Sequence, residues 1–388
     1  MRSGNGGGSV TRRSLLGGVS TGLILSVLPS GAFAAGNLDS LIREQMRAAR
    51  IPGLALGIAR EGEIKFARGY GFADIEQRRP VTTETMFHIA SITKTITAAT
   101  LMWLVDQGRI ALDEPVAPHL DFRIAGERAS DITFRHLLMH MSGISDEVYY
   151  KVDFRNPGAD STMTLEALLH SYLAVGGRYT GAGNLRHLPG KRWEYSNIGY
   201  ALLGHLAGRI TGEDMREFTR ECLFRPLGLR HISWTIADTP ARLRATPYEL
   251  VDDAAKPVQP VGFPDWPAGM IRASVNNLTL LIAAVANGGA ANGVRLLGSA
   301  NNAEMVTMRK PPGLAEWLTG QGLAWQQSLL DGTPRINHWG GDPGVFTMAY
   351  LDPDRRIGVV LLSNLSATPQ SRDALRTIAS RALGSVTG

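Results

Sequence analysis

The stretch "HIASITK", residues 88–94, places Ser91 and Lys94 three residues apart at a predicted helix start. Residues at this spacing on a helix lie about one turn apart on the same face. A serine hydroxyl becomes an effective nucleophile when a base takes its proton, and burial can hold a lysine near neutrality for such a step. Apolar neighbours predict this burial, with the helix running from about Ser91 to Gln107. Taken alone, however, this pair is common in proteins.

Two polar motifs far along the chain supply partners for this pair. They are the tyrosine–serine–asparagine run at residues 195–197 and the histidine–tryptophan–glycine–glycine run at residues 338–341, just before a predicted strand. A phenol with a pKa near 10 is a poor base at pH 7, and a neighbouring ammonium favours the phenolate. The residue types therefore predict that Lys94 and Tyr195 act together on Ser91.

The order of these motifs resembles that of the serine β-lactamase and penicillin-binding-protein superfamily, and within it the class C β-lactamase-like branch. That branch includes D-aminopeptidases, D-alanyl-D-alanine carboxypeptidases and family VIII carboxylesterases. Its S-x-x-K, Y-x-N and K-T-G or H-x-G motifs are matched in order by residues 91–94, 195–197 and 338–340. The resemblance extends over roughly residues 38–385, nearly the whole chain after its first segment.

The resemblance implies a role for each motif residue. Ser91 would attack the scissile carbonyl and form an acyl-enzyme, Lys94 would keep the neighbouring phenol acidic, and Tyr195 would be the general base. Asn197 would orient Lys94 and bind a substrate amide or ester oxygen. The backbone N–H groups of Ser91 and Gly341 would form the oxyanion hole. The candidates for substrate and oxyanion binding are Asn197, His338, Trp339, Gly340 and Gly341.

The third motif departs from the K-T-G of penicillin-active members. His338 stands where a lysine binds a substrate carboxylate, and Trp339 replaces a small hydroxyl residue, so efficient β-lactam hydrolysis is not expected. A second register, tryptophan–glycine–glycine at 339–341, matches the W-G-G of family VIII esterases. It would move the oxyanion N–H from Gly341 to Asp342, and both registers remain open at this point.

The fold class expected from the sequence is α/β of the α+β type, similar to β-lactamases and transpeptidases. Strand-like runs occur near both ends of the chain and helical pieces occur between them. We predict a mainly antiparallel sheet from the N- and C-terminal segments, flanked by helices, with an inserted helical region. The α/β part would span about 35–105 and 290–388, and the helical part about 106–289. The proline-rich stretch 254–269 is expected to be irregular.

Residues 1–34 have the pattern of an export signal. Paired arginines at 12–13 resemble a twin-arginine signal, and an apolar stretch and the small residues at 32–34 follow. Cleavage after Ala34 would leave a hydrolase domain at 35–388, periplasmic or secreted, which meets the membrane only during export. A G-x-S-x-G match inside this signal is not expected to be a nucleophile turn.

Net charge gives little support for a nucleic-acid partner. The formal charge is +5, but the first 34 residues hold three arginines and no acid, so the charge of the rest is +2. No dense basic run remains there. We expect a small-molecule or peptide substrate and no cofactor, and the sequence does not indicate an oligomeric state.

Neither the histidine pair nor the cysteine predicts further chemistry. His136 and His140 have the spacing of a zinc-binding pair, but no third ligand is evident, so no metal site is predicted. Cys222 is the sole cysteine, which excludes an internal disulfide. Its apolar neighbours indicate a buried small hydrophobe.

We therefore predict an exported serine hydrolase that cleaves an amide or ester bond of a peptide-like or small ester substrate through a Ser91 acyl-enzyme. The alternatives are a family VIII-type carboxylesterase or an acyltransferase. Weaker alternatives are an efficient β-lactamase and a non-catalytic, penicillin-binding-like sensor. The segment 145–189, which contains several aromatic residues, either shapes the substrate groove or packs on itself as a surface insertion.

Overall fold

The computed structural model describes residues 31–180 and 184–385, with side chains from Asn37 onward. The predicted signal at residues 1–34 lies outside these described residues, except for the backbone of its last four. Within the described ranges, every helix is too short or too polar to cross a bilayer.

The strands and helices follow one another along the chain as a mixed α/β sequence. In chain order the strands are β1 (Gly53–Arg60), β2 (Glu63–Asp74), β3 (Arg79–Pro80), β4 (Met86–His88), β5 (Asn156–Pro157), β6 (Ile232–Ser233), β7 (Tyr248–Val251), β8 (Ala254–Pro257), β9 (Val261–Gly262), β10 (Arg272–Ser274), β11 (Ala290–Ala291), β12 (Val294–Arg295), β13 (Leu318–Gln321), β14 (Gln326–Leu330), β15 (Thr333–Asp342), β16 (Val345–Asp352) and β17 (Ile357–Ser363). The α-helices are α1 (Gly31–Ala48), α2 (Thr93–Asp106), α3 (Phe134–Leu138), α4 (Glu147–Lys151), α5 (Leu165–Leu173), α6 (Asn197–Thr211), α7 (Met215–Thr219), α8 (Trp266–Gly269), α9 (Val275–Ala286), α10 (Ser299–Val306) and α11 (Pro369–Ser385).

The main sheet has eight strands in the order β13-β14-β15-β16-β17-β1-β2-β3. All neighbours in it are antiparallel, and β1 joins the two ends of the chain by pairing with β17. These two central strands are buried along nearly their whole length because both faces of the sheet are covered. The predicted fold class, a mainly antiparallel sheet from the N- and C-terminal segments flanked by helices, is confirmed.

Alternate residues of the central strands pack into two separate hydrophobic cores, one on each face of the sheet. Leu54 and Leu56 pack in one core with α1 and α11, whereas Ala55 and Ala59 join the other core with α9. This follows from the period of two along a strand, which sends successive side chains to opposite faces. The second core continues into α2 and α6, so the helical region packs on the same face of the sheet as α9.

Three segments in the middle of the chain add detail to the sequence predictions. The stretch 254–269 was expected to be irregular, but it contains β8, β9 and α8. Pro267 fits in the first turn of α8 because the N–H it lacks would have no helical partner there.

Helix α9 falls within the predicted helical part, yet it packs on the sheet. Cys222 is buried as predicted, and burial raises the pKa of its thiol to about 12.

Candidate active site

Ser91 lies in a short 3₁₀ turn, Ala90–Ile92, that connects β4 to α2. The predicted helix therefore starts as this turn, and the α-helix itself begins at Thr93. Ala90 has a φ of +46°, in the left-handed region that non-glycine residues seldom adopt. Pairing of β4 with β10 and a 2.9 Å hydrogen bond from Ile89 N–H to the Ile271 carbonyl hold this turn in place. Strain of this kind is often found at functional sites.

The ammonium of Lys94 is fully buried and has three hydrogen-bond acceptors. Lys94 Nζ lies 3.2 Å from Ser91 Oγ, 2.7 Å from Asn197 Oδ1 and 2.7 Å from the carbonyl oxygen of Ala268. A lysine has three protons to donate, so this set satisfies it. Burial lowers the pKa of Lys94 to about 8, although nearby carboxylates act in the opposite direction. The residue can therefore exchange a proton with Ser91 near neutral pH.

The ring of Tyr195 lies beside Lys94, and its phenol stays protonated. Its ring stacks on His140 with centroids 4.3 Å apart, and Lys94 Nζ lies 4.9 Å from its ring centroid. Burial raises the pKa of the Tyr195 phenol above its usual range, and a hydrogen bond with Ser91 offsets only part of that rise. The sequence argument expected Lys94 to lower this pKa, whereas the structure raises it, with desolvation by burial as the largest cause.

Asp146 positions Asn197 at the start of α6. Its carboxylate accepts hydrogen bonds from Ser196 Oγ at 2.7 Å, from Ile198 N–H at 3.2 Å and from Asn197 N–H. An anion at a helix N-terminus satisfies free N–H groups and interacts favourably with the helix dipole. Burial nevertheless raises the pKa of Asp146 to about 6. Asn197 Nδ2 donates to Tyr150 Oη at 2.9 Å, so its amide bridges Lys94 and the cavity wall.

The third motif occupies a free edge of the sheet. Pairing between β14 and β15 extends only to Asn337, so residues 338–342 have no partner on that side among the described strands. His338 is buried here and its Nδ1 donates to the Trp339 carbonyl at 2.9 Å, which leaves Nε2 with a lone pair and no partner within the described residues. Burial and the charge of Lys94 lower the pKa of His338 to about 3, so the side chain is neutral.

Gly340 brings this edge into contact with the Ser91 turn. A Cβ at Gly340 would lie 2.4 Å from the Ile89 carbonyl oxygen and 2.9 Å from Ser91 N, so only glycine allows the approach. Thr347 Oγ1 donates to the same Ile89 carbonyl at 3.0 Å. Gly341, the next residue, is exposed and lines the cavity. This contact brings the third motif directly against the nucleophile turn.

Two carboxylates beside Lys94 were not predicted. Asp265 accepts a 2.6 Å hydrogen bond from Tyr149 Oη, and Asp342 Oδ2 lies 3.5 Å from His88 Nε2. Burial raises the pKa of both, that of Asp342 to about 7. Asp342 directly follows the third motif and could have been suspected from that position. Asp265 lies in the proline-rich stretch, where the sequence pattern offered no signal.

A cavity of about 630 Å³ opens above Ser91. Its walls include Tyr149, Tyr150 and Phe154 from the segment 145–189, so this segment shapes the groove. The same segment also packs on itself, since the rings of Tyr149 and Phe154 stack at 5.1 Å. Both alternatives for the segment therefore apply. The remaining aromatic wall consists of Trp193, Tyr195, Phe263, Trp317 and Trp339.

His136 and His140 make unrelated contacts. Helix α3 ends at Leu138, so the two histidines do not share a helix face. His136 Nδ1 accepts from Thr133 N–H in a capping box, whereas His140 Nδ1 accepts from Ser196 N–H at 3.1 Å. His140 therefore packs against the Tyr195 motif, a contact that its sequence spacing did not indicate.

Comparisons with known proteins agree with this fold. A family model described as Beta-lactamase matches residues 38–383. Esterase EstB of Burkholderia gladioli is 31% identical over 244 residues, which is 59% of this chain and 57% of EstB. The chain thus spans little more than half the length of this relative.

Two solved structures share the architecture. The octameric penicillin-binding protein homologue from Pyrococcus abyssi has a TM-score of 0.73 and 25% identity, and the match covers 90% of this chain and 77% of that one. D-amino acid amidase from Ochrobactrum anthropi SV3 has a TM-score of 0.71 and 22% identity, covering 90% of this chain and 98% of that one. The second likeness shows the fold alone.

Replacement of Gly340 tests the contact between the sheet edge and the Ser91 turn. Gly340→Ala should shift Ser91 and reduce its rate of labelling by a fluorophosphonate by about 10²-fold, since a misplacement of about 1 Å can have that effect. Gly341→Ala is the matched control for stability, because a Cβ there meets no atom nearer than 3.8 Å and should leave the thermal midpoint unchanged. An unaltered labelling rate in Gly340→Ala would contradict the contact.

Proposed function

Because this chain belongs to the beta-lactamase family of serine hydrolases, we propose that it cleaves carboxylic ester or amide bonds through an acyl-enzyme on Ser91. The observation that supports the proposal is the buried Lys94 Nζ, 3.2 Å from Ser91 Oγ, with its pKa lowered to about 8. The export signal predicted at residues 1–34 would place this reaction in the periplasm or outside the cell.

The proposed reaction has two stages with balanced proton transfers. As Ser91 Oγ forms a bond to the carbonyl carbon, its proton passes to the Lys94–Tyr195 pair. As the bond to the leaving group breaks, the pair returns the proton to the leaving oxygen or nitrogen. Water then attacks the acyl-enzyme, and the pair again moves a proton, this time from water to Ser91. The backbone N–H groups of Ser91 and Gly341 stabilise the oxyanion in both stages.

The charges around the cavity favour neutral or cationic acyl groups. His338 is neutral, and Asp342, whose pKa burial raises to about 7, presents a carboxylate to the cavity above that pH. The two cations on the rim already have partners, since Lys151 pairs with Glu147 and Arg155 pairs with Asp153. A substrate carboxylate would therefore meet an anion and no unpaired cation within the described lining. This arrangement supports an esterase or amidase in preference to an efficient β-lactamase.

Chemical labelling tests the proposed nucleophile. Treatment with a fluorophosphonate, followed by peptide mapping with mass spectrometry, should place the adduct on Ser91, and Ser91→Ala should take up none. Tyr195→Phe removes only the hydroxyl, and it should reduce kcat for a p-nitrophenyl ester by at least about 10²-fold, as loss of a proton-transfer group does. A folded wild-type protein without label on Ser91 would refute the acyl-enzyme.

The labelling rate should depend on pH through the base form of Lys94. Burial lowers the pKa of this group to about 8, so below that pH most molecules hold the proton and cannot accept one from Ser91. We expect the rate to rise about 10-fold per pH unit up to about pH 8 and then to level off. Circular dichroism at each pH would check that the fold is retained. A rate that is flat between pH 6 and 9 would contradict this assignment.

Matched esters test the charge preference. At pH 8, a p-nitrophenyl ester whose acyl chain ends in an ammonium should have a kcat/KM roughly 10-fold above that of an equally long chain ending in a carboxylate. Asp342→Asn should bring this ratio towards 1. The ratio is taken within each variant, so any general loss of activity cancels. A ratio that is the same in both proteins would show that Asp342 does not select charge.

A further inference from the structure

A second cluster of metal-ligand side chains lies in the helical region, away from the Ser91 cavity. Asp121 lies in the loop before α3, Glu166 and His170 lie four residues apart on α5, and His205 lies on α6. The ligand atoms of Asp121, Glu166 and His170 all lie within 4.8 Å of one another. None of the four residues lines the cavity at Ser91.

Two imidazole nitrogens point at one carboxylate oxygen of this cluster. His205 Nε2 lies 3.5 Å from Asp121 Oδ1, and His170 Nε2 lies 3.9 Å from the same atom. Both Nε2 atoms are buried and have no hydrogen-bond partner among residues 31–180 and 184–385. The side chain of His205 is only 9% exposed. Asp121 faces both nitrogens, but neither contact has hydrogen-bond geometry, so each nitrogen can still bind a ligand.

Neighbouring residues contact three of the four side chains. The ring of Phe122 lies 4.6 Å from that of His170 and 6.0 Å from that of His205. Arg209 Nη1 lies 3.7 Å from Asp121 Oδ2, which leaves Oδ1 directed between the two imidazoles. These contacts limit the rotation of the two imidazoles and of the Asp121 carboxylate.

We propose that Asp121, Glu166 and His170 bind one zinc ion in a tetrahedral site, with His205 as the fourth ligand once its side chain has turned towards the other three. Two imidazole nitrogens and two carboxylate oxygens suit zinc, whereas magnesium and calcium prefer oxygen ligands alone. Ligands about 2.0–2.1 Å from a tetrahedral zinc lie roughly 3.3 Å from one another. The distances of 3.5 and 3.9 Å to Asp121 Oδ1 are close to that value. His205 lies outside the group of three whose ligand atoms are all within 4.8 Å, so its side chain must move the furthest.

The proposed ion has a structural role. It joins α5, which belongs to the segment 145–189, to α6, which begins at Asn197. Binding would therefore fix the segment that lines the cavity relative to the helix that holds Asn197. The ion itself takes no part in the chemistry at Ser91, so its presence and the acyl-enzyme can be tested separately.

Cobalt is the probe of choice because tetrahedral Co²⁺ absorbs visible light and occupies zinc sites. The full chain, without a histidine tag and treated with a chelator, should bind one equivalent of Co²⁺ with a visible absorption band. Zn²⁺ should displace the cobalt and abolish the band, and it should raise the thermal midpoint because it binds the folded state. Absence of a stoichiometric band at millimolar Co²⁺ would overturn the proposal.

Variants locate the site. His205→Gln and Asp121→Asn should each weaken Co²⁺ binding by at least about 10-fold, because each removes one ligand. His187→Gln is the matched control: His187 Nε2 lies 3.4 Å from Glu194 Oε2, in an imidazole–carboxylate pair outside the cluster. Circular dichroism of the metal-free variants verifies folding, and the partly exposed His170→Gln replaces His205→Gln if the latter does not fold. Binding that is equal in wild type, Asp121→Asn and the folded histidine variant would refute this site.

Discussion

The buried ammonium of Lys94 is the constraint on which the candidate site depends. An ion of this kind is stable in a protein interior only when its hydrogen bonds are satisfied, because desolvation otherwise costs several kcal/mol. Here the acceptors are Ser91 Oγ, Asn197 Oδ1 and the Ala268 carbonyl. One nitrogen thus fixes the relative positions of the nucleophile turn, α6 and α8. Loss of any acceptor would disturb both the charge state of Lys94 and the geometry of the other two.

The same low-dielectric surroundings act in opposite directions on the acids and the bases of the site. They lower the pKa of Lys94 and raise the pKa of Tyr195, so both shifts are towards the neutral form, although Lys94 still holds its proton below about pH 8. Asp146 and Asp265 moderate the effect on Lys94, because their charges stabilise its ammonium. The balance between burial and these carboxylates therefore sets the pH at which the pair can accept a proton.

The sequence predicted those parts of the site that have a local pattern. The spacing of Ser91 and Lys94 indicated a shared face, and runs of strand-forming residues near both chain ends indicated the common sheet. The carbonyl of Ala268 could not be predicted, because every residue carries one and its direction depends on the fold. The raised pKa of Tyr195 was missed for a related reason: burial depends on tertiary packing, and the argument from the motif considered only the neighbouring charge.

The pairing of β1 with β17 has a consequence for how the chain folds. Leu54 pairs with Ser363, so the central seam of the sheet forms only after almost the entire chain is available. Folds dominated by such distant pairings close slowly, because the entropy of a long loop must be overcome first. Until then β1, apolar on both faces, exposes an unpaired edge that can aggregate. The last strands to leave the ribosome therefore complete the core, and a chain shortened at its C-terminus would retain the residues of the nucleophile turn without the sheet that positions them.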